Sequence, residues 1–382
     1  MSGAPPTDLT GHLDRSVLFA ALGDTYARSS GEHGQSETLV LVRDEGRVHL
    51  HGVGVDSGTC RVLLGGADRS VTEASRAQEA GTVAVVLATA VSFGEIAVVD
   101  PADASCRTVT AHGAEALPDV RIFPPQERRF TATDGTAVHG WVIGDPRAIQ
   151  PGPLLVDIHG GPHTAWSGTA DPARVYQQVL AARGWTVLMV NPRGSDGYGE
   201  TFYRAVTGGW GREDAGDLLD ALDELVQDGI ADPGRLAVTG YSYGGYLTCY
   251  LTSRDRRFAA AVAGGTVSDL VSMVGTSDTG SMVGELELGG APWTSPDRYA
   301  ASNPMARVGE VRTPTLLLHG ASDLRCPAGQ ARQWFAALRN LRVPTRLVLY
   351  PDASHSFVWD GRPSHRADWN QRIVAWIEQY TP

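Results

Sequence analysis

The stretch RLAVTGYSYGGY, residues 235–246, reads as an apolar β run ending on Gly240, then a serine between glycines, then a helix starting near Tyr243. Its Gly-x-Ser-x-Gly pattern is weak by itself, because a chain with 45 glycines in 382 residues contains it by chance about 0.3 times. The context gives it meaning. A serine on a sharp strand-to-helix turn stands at the carboxyl edge of a sheet, and Gly240 and Gly244 lack side chains so that the two backbones can approach. This reading requires a sheet, and the flanking sequence supplies one.

The runs PLLVDI (153–158) and TVLMV (186–190) are continuously apolar, as strands buried on both faces of a parallel sheet are. FAAAVAG (258–264), TPTLLLHG (313–320) and TRLVLY (345–350) extend the series. Between them, Ala215, Leu218, Leu219, Leu222, Leu225 and Val226 recur at helical spacing within 213–228, which assigns Asp217, Asp220, Asp223 and Glu224 to the outer face. Further helices are expected near 327–340 and 367–380, and a hairpin around Asp134-Gly135 opens the region. The class is α/β, with helices on both faces of the sheet. Ahead of it, residues 36–112 show short β runs between Gly, Asp and Ser clusters, the rhythm of a meander or of about two propeller blades. Residues 113–128 read as a linker. Two domains are expected: 1–125, a small all-β module with linker, and 126–382, the α/β domain.

A serine hydroxyl needs a base to become a nucleophile, and the base needs an orienting acid. In an open sheet the reactive groups lie just past the carboxyl ends of strands. Asp323 follows TPTLLLHG and His355 follows TRLVLY, giving the chain order Ser242, Asp323, His355. Among rivals, His319 stands only four residues before Asp323, His365 lies in the polar approach to the last helix, and Asp352 reaches His355 only through a tight local turn. Two N–H donors are also needed for a tetrahedral oxyanion. The amide after the nucleophile, Tyr243, supplies one. The loop His159-Gly160-Gly161-Pro162, after the strand 153–158, supplies the other from Gly161, since Pro162 has no N–H.

Composition removes other classes. A 42% apolar, 20% charged chain is globular. A net charge of -11 disfavours nucleic acid and anionic membranes as partners. All 32 basic residues are arginine, which excludes a Schiff-base lysine, a P-loop lysine and a Ser-Lys dyad. The N-terminal residues lack a signal-peptide pattern and no apolar run approaches membrane length, so a cytoplasmic protein is expected. Cys60, Cys106, Cys249 and Cys326 show neither zinc nor disulfide spacing, and Cys326, close behind Asp323, is expected to pack in the core, with a place beside the site as the alternative. His49 and His51 share a strand face, yet no third ligand accompanies them. Neither metal nor cofactor is expected.

With these residues in place, the chain resembles the prolyl oligopeptidase family of serine peptidases, especially its acylaminoacyl-peptidase-like branch. The likeness spans about 126–382 and rests on seven pieces in order: TDGTAVHGW, DIHGGPH, NPRGSDGYGETF, GWGREDAGDLLDAL, GYSYGGY, TPTLLLHGASDLRCP and YPDASHSF. It implies an α/β-hydrolase fold, with Ser242 as nucleophile, His355 as general base, Asp323 as its orienting acid, and Gly161 with Tyr243 as oxyanion donors. Prolyl-specific members carry a tyrosine hydroxyl where His159 stands, so strict post-proline cleavage is not implied. Relatives place about seven blades of roughly 45 residues ahead of the catalytic domain, whereas about two fit here. The expectation is a shortened propeller-like module whose open strand edges are covered in a homodimer, through those edges or against the catalytic domain. The implied reaction is cleavage of a peptide or amide bond in short peptides, N-acylated ones included. Alternatives are an esterase, amidase or acyl transferase acting on a non-peptide compound, and an inactive interaction protein. The segment 266–296 is the expected acyl pocket, with Met273, Met282 and Trp293 as candidate walls beside His159, and core packing as the open alternative.

Overall fold

The structure, a computed structural model, describes residues 7–18, 26–27, 36–77 and 81–382. It divides into two compact units. One comprises Met1–Pro124 with Ser167–Ala170 and Asp196–Tyr203; the other comprises Pro125–Trp166, Asp171–Ser195 and Arg204–Pro382.

The first unit holds two antiparallel sheets. Strands β1 (Val17–Leu18), β3 (Ser36–Asp44), β4 (Arg47–Gly54) and β5 (Cys60–Leu64) lie in that order, with β2 (Tyr26–Ala27) also paired to β3. The second sheet is the meander β6 (Arg69–Arg76), β7 (Val83–Thr89), β8 (Ser92–Asp100), β9 (Ser105–Thr108). Alternation sends Leu39 and Leu41 of β3, Val48 and Leu50 of β4, Val83, Val85 and Leu87 of β7, and Ala97 and Val99 of β8 into one shared core. The β3–β4 turn places Glu45 and Gly46 at φ of 45° and 84°, the two positive values that a tight hairpin matching strand twist requires. Two of these strands escape the apolar pattern. RSVTEASR of β6 is mostly polar, and all four side chains of the edge strand β9 are exposed. His49 and His51 stack on β4 with ring centres 6.4 Å apart. No cluster of three or more His, Cys, Asp or Glu suited to a metal ion occurs among the described residues.

The second unit is built on eight strands: β10 (Gln126–Thr131), β11 (Ala137–Ile143), β12 (Gly152–Ile158), β13 (Thr186–Asn191), β14 (Ala231–Tyr241), β15 (Phe258–Gly264), β16 (Thr315–Gly320) and β17 (Thr345–Tyr350). Their order is β10-β11-β13-β12-β14-β15-β16-β17. The pairings β10–β11 and β11–β13 are antiparallel and the others parallel. Every residue of β12, β13 and β16 is buried, which is why these strands read as unbroken apolar runs. The helices used below are α1 (Val175–Ala182), α2 (Glu213–Gln227), α3 (Tyr243–Thr252), α4 (Leu270–Thr276), α5 (Pro296–Ser302), α6 (Gly329–Asn340) and α7 (Pro363–Tyr380). Leu154, Val156 and Ile158 of β12 pack with Leu218, Leu222 and Leu225 of α2 and with Tyr246 and Leu247 of α3. Trp334 and Leu338 of α6 close a second cluster over Leu317. Among the described residues no helix is long and apolar enough to cross a membrane.

Two expectations are corrected. Residues 126–128 of the expected linker are strand, with Gln126 opposite Val142 and Arg128 opposite Gly140. Asp217, assigned to the outer face of α2, is fully buried. Arg193, from the loop after β13, donates to its Oδ1 from Nη2 at 2.7 Å and to its Oδ2 from the backbone N–H at 2.7 Å. A guanidinium and an amide replace the water that this carboxylate gives up.

Candidate active site

Strand β14 ends at Tyr241 and α3 begins at Tyr243, leaving Ser242 alone on the turn at φ 60°, ψ -118°. Such a backbone costs a non-glycine residue on the order of 1–3 kcal/mol and persists only where its surroundings hold it. Two hydrogen bonds do so: the Ser242 N–H donates to Gly264 O, and the Tyr246 N–H donates to Ser242 O, each at 2.9 Å. The flanking glycines are required by contact. A Cβ on Gly240 would lie 2.4 Å from the Gly244 backbone, and one on Gly244 would lie 2.1 Å from Ile158 O of β12. We therefore expect Gly244→Ala to force α3 off β12, at a cost of about 3 kcal/mol or more. Thermal unfolding should show a melting temperature lower by roughly 6 °C or more, and a variant melting with the wild type would refute the contact argument.

The other two strand-end residues meet the serine. His355 Nε2 lies 2.9 Å from Ser242 Oγ, and His355 Nδ1 lies 2.7 Å from Asp323 Oδ2. Asp323 is buried beside β16, while Ser242 and His355 are partly exposed. The Cys326 N–H donates to Asp323 Oδ1 at 2.8 Å, so both carboxylate oxygens are engaged. None of the rivals faces the serine hydroxyl in place of His355. His319 Nε2 faces Cys326 O at 2.6 Å and lies 3.4 Å from Asp323 Oδ2, His365 stacks on Tyr350 at 5.3 Å, and Asp352 pairs with Arg362 at 3.2 Å. A hydroxyl facing an imidazole whose far nitrogen is held by a carboxylate is the geometry that makes an alcohol nucleophilic.

The loop after β12 passes over the serine. A Cβ on Gly160 would lie 3.4 Å from Ser242 Cβ and 4.0 Å from its Oγ. Gly161 follows at φ 121°, and Tyr243 opens α3, where first-turn amides have no partner inside the helix. His159 is buried and braces the loop: Nε2 lies 2.9 Å from Ser195 Oγ and Nδ1 2.7 Å from Gly160 O. Of the expected pocket walls, Met273 on α4 belongs to the hydrophobic core. Met282 and Trp293 are 52% and 79% exposed.

Several residues around the site have no signal in apolar periodicity. The Tyr241 hydroxyl donates to His355 O at 2.7 Å, with its ring 5.2 Å from the imidazole, and so fixes the histidine loop. His163, two residues past Gly161, contacts Gly194 O at 2.7 Å and Glu287 Oε1 at 3.1 Å. Trp210 Nε1 donates to the other Glu287 oxygen at 3.3 Å. Burial works to raise the Glu287 pKa, but the hydrogen bond and charge of His163 together with the Trp210 hydrogen bond outweigh it, so the net shift is downward. Cys326 is buried against Ser242, and burial pushes its thiol far up, keeping it protonated. All of these residues lie within or beside the glycine-rich motifs, which was the available signal.

Residues 173–382 match the family model described as the prolyl oligopeptidase family. The uncharacterized peptidase YuxL of Bacillus subtilis (strain 168) is 38% identical over 262 residues, covering 68% of this chain and 39% of that protein. Among solved structures, the acylaminoacyl peptidase of Pyrococcus horikoshii aligns with a TM-score of 0.85 at 25% identity, over 98% of this chain and 57% of its own. A Mycobacterium tuberculosis puromycin-hydrolyzing peptidase aligns with a TM-score of 0.78 at 26% identity, over 91% of this chain and 52% of its own. The chain spans about half the length of these solved relatives and less of the curated one. An α/β-hydrolase sheet that carries a strained serine at the end of β14, preceded by a small all-β propeller-like unit, agrees with these matches, and the chain belongs to the prolyl oligopeptidase family.

Proposed function

We propose that this protein is a serine hydrolase that cleaves peptide or amide bonds of short peptides, N-acylated ones included, through an acyl-enzyme on Ser242. The observation that carries the reading is the hydrogen-bond chain Ser242 Oγ, His355, Asp323, at 2.9 and 2.7 Å, starting from a serine held at φ 60°. In the first half-reaction Oγ attacks the carbonyl carbon while its proton passes to His355 Nε2. The carbonyl oxygen becomes an oxyanion facing the N–H groups of Tyr243 and Gly161. His355 then protonates the leaving amine, and the carbon–nitrogen bond breaks. In the second half-reaction water gives its proton to His355, attacks the ester carbon, and releases the acid as Oγ regains its proton. Asp323 keeps the proton of the resting imidazole on Nδ1, leaving Nε2 free to act as base.

The likeness to a puromycin-hydrolyzing peptidase favours a second reading, in which the acyl donor is a small non-peptide compound and Ser242 serves an amidase or esterase. Rates on an N-acetylated amino-acid anilide and on a plain aryl ester separate the two. A peptidase should show kcat/KM on the anilide that collapses when the amino-acid side chain is removed, whereas an esterase prefers the ester regardless of side chain. Labelling with a fluorophosphonate tests the shared chemistry. The adduct is expected on the tryptic peptide containing Ser242, and a folded protein that takes no adduct and turns over neither substrate contradicts the proposal.

A further inference from the structure

An acid from α2 reaches into the turn that carries the serine. Asp214, in the first turn of α2, is 0% exposed, and its Oδ2 accepts a hydrogen bond from the Tyr243 hydroxyl at 2.5 Å. Oδ1 has no hydrogen-bond partner, although the first-turn amides of α2 lie near enough to favour its charged form. Burial dominates and pushes the carboxyl up to about 7, against the Tyr243 hydrogen bond, and the charge of Asp217 adds to the rise. A carboxyl group held wholly out of water weakens a fold, so its presence calls for a use.

The use lies at the other end of the tyrosine. Tyr243 is the residue after Ser242, and its ring is clamped edge-on by Trp210 at 4.8 Å and by the tilted ring of Tyr246 at 5.2 Å. Clamping the ring and tying down its hydroxyl fixes the side-chain torsions, and through them the first peptide plane of α3. The N–H of that plane is the one that faces a developing oxyanion. We propose that Asp214 is a positioning residue for the oxyanion donor: by holding the Tyr243 hydroxyl it sets the aim of the Tyr243 N–H. This rests on the reading of Ser242 as nucleophile and Tyr243 as donor.

The test compares Asp214→Ala, Asp214→Asn and Tyr243→Phe with wild type, measuring turnover of the aryl ester, melting temperature, and inhibition by a peptidyl trifluoromethyl ketone, which adds a serine to form a tetrahedral oxyanion. In the Ala and Phe variants kcat should fall about 10- to 100-fold, less than the loss of a whole donor, with KM within about twofold of wild type. Affinity for the ketone should weaken in proportion to kcat. The amide of Asp214→Asn can still accept from the phenol and carries no charge to bury. That variant should recover most of kcat and melt at or above wild type at pH 8. The Ala/Phe double variant should be no slower than the slower single one. Should Asp214→Ala fail to fold, Tyr243→Phe and Asp214→Asn decide the matter.

The inference is overturned if Tyr243→Phe and Asp214→Ala turn over within about twofold of wild type. It is equally overturned if activity falls only in step with melting temperature, in the Asn variant as much as in the others, because that is a structural role. A wild type with neither turnover nor fluorophosphonate adduct removes the hydrolase reading and this inference together. An active wild type indifferent to Asp214 removes this inference alone.

Discussion

Ser242→Ala is expected to lower turnover of both the anilide and the ester by about 10⁴- to 10⁶-fold, leaving KM and the melting temperature close to wild type. The change removes one oxygen and nothing that supports the fold. The hydrogen bonds that hold the turn run through the Ser242 backbone, to Gly264 O and from the Tyr246 N–H, and alanine retains both. What is lost is the contact of Oγ with His355 Nε2 and with the Cys326 thiol. The fluorophosphonate adduct should vanish with the activity. Glycine at the same position separates strain from chemistry, since it adopts φ 60° without penalty. Ser242→Gly should therefore be as inactive as the alanine variant yet no less stable, with strain relief of about 1 kcal/mol offset by the gain in unfolded-chain freedom. Anilide turnover by purified Ser242→Ala above about 1% of wild type would contradict its role, because removal of an attacking group leaves far less than that.

The parts of this site that the sequence makes legible are those tied to strand ends. Ser242, Asp323 and His355 each follow an apolar run, buried whole in β16 and only partly in the edge strand β17, and a parallel sheet brings the carboxyl ends of its strands to one edge. Their order and spacing are therefore visible before any coordinates. Residues whose importance comes from a distant partner are not. Asp214 and Asp217 look alike on α2, and apolar periodicity locates only the face made by leucines and alanines. Asp217 is buried because Arg193 meets it, and Asp214 because Tyr243 does, and no local pattern encodes either meeting. Strand β6 is hidden for a different reason: with Glu73, Ser75 and Arg76 among its eight residues, it buries little apolar surface. The walls of an acyl pocket are harder still. Met273, Met282 and Trp293 share a chemistry suited to walls, but one lies in the core and two are exposed. Burial is decided by how 266–296 folds over the sheet, and helix α4 with the short π-helix Val283–Glu287 leaves no periodic trace long enough to read.

Asp323→Asn is the second substitution with a very large expected effect, and its cause can be followed atom by atom. Asp323 Oδ1 accepts from the Cys326 N–H at 2.8 Å, and Oδ2 faces His355 Nδ1 at 2.7 Å. Asparagine offers one acceptor and one donor in place of two acceptors. With its oxygen toward Cys326, its NH₂ faces Nδ1, so the imidazole must accept there and carry its own proton on Nε2, toward Ser242. An imidazole protonated on Nε2 cannot take the serine proton. With the amide turned the other way, the NH₂ confronts the Cys326 N–H in a buried site, leaving an unsatisfied donor at about 1–3 kcal/mol. The first arrangement is favoured because a tautomer shift in His355 relieves it, and it is the inactive one. We expect kcat to fall about 10⁴-fold while KM and the melting temperature change little. Fluorophosphonate labelling should slow with it, because Oγ is no longer activated. Asp352→Asn is the matched control: its carboxylate pairs with Arg362 rather than with His355, and its turnover should stay within about twofold of wild type. An Asp323→Asn enzyme within about tenfold of wild type would mean that His355 keeps its working tautomer without Asp323, and the hydrogen-bond chain read here would not be what activates Ser242.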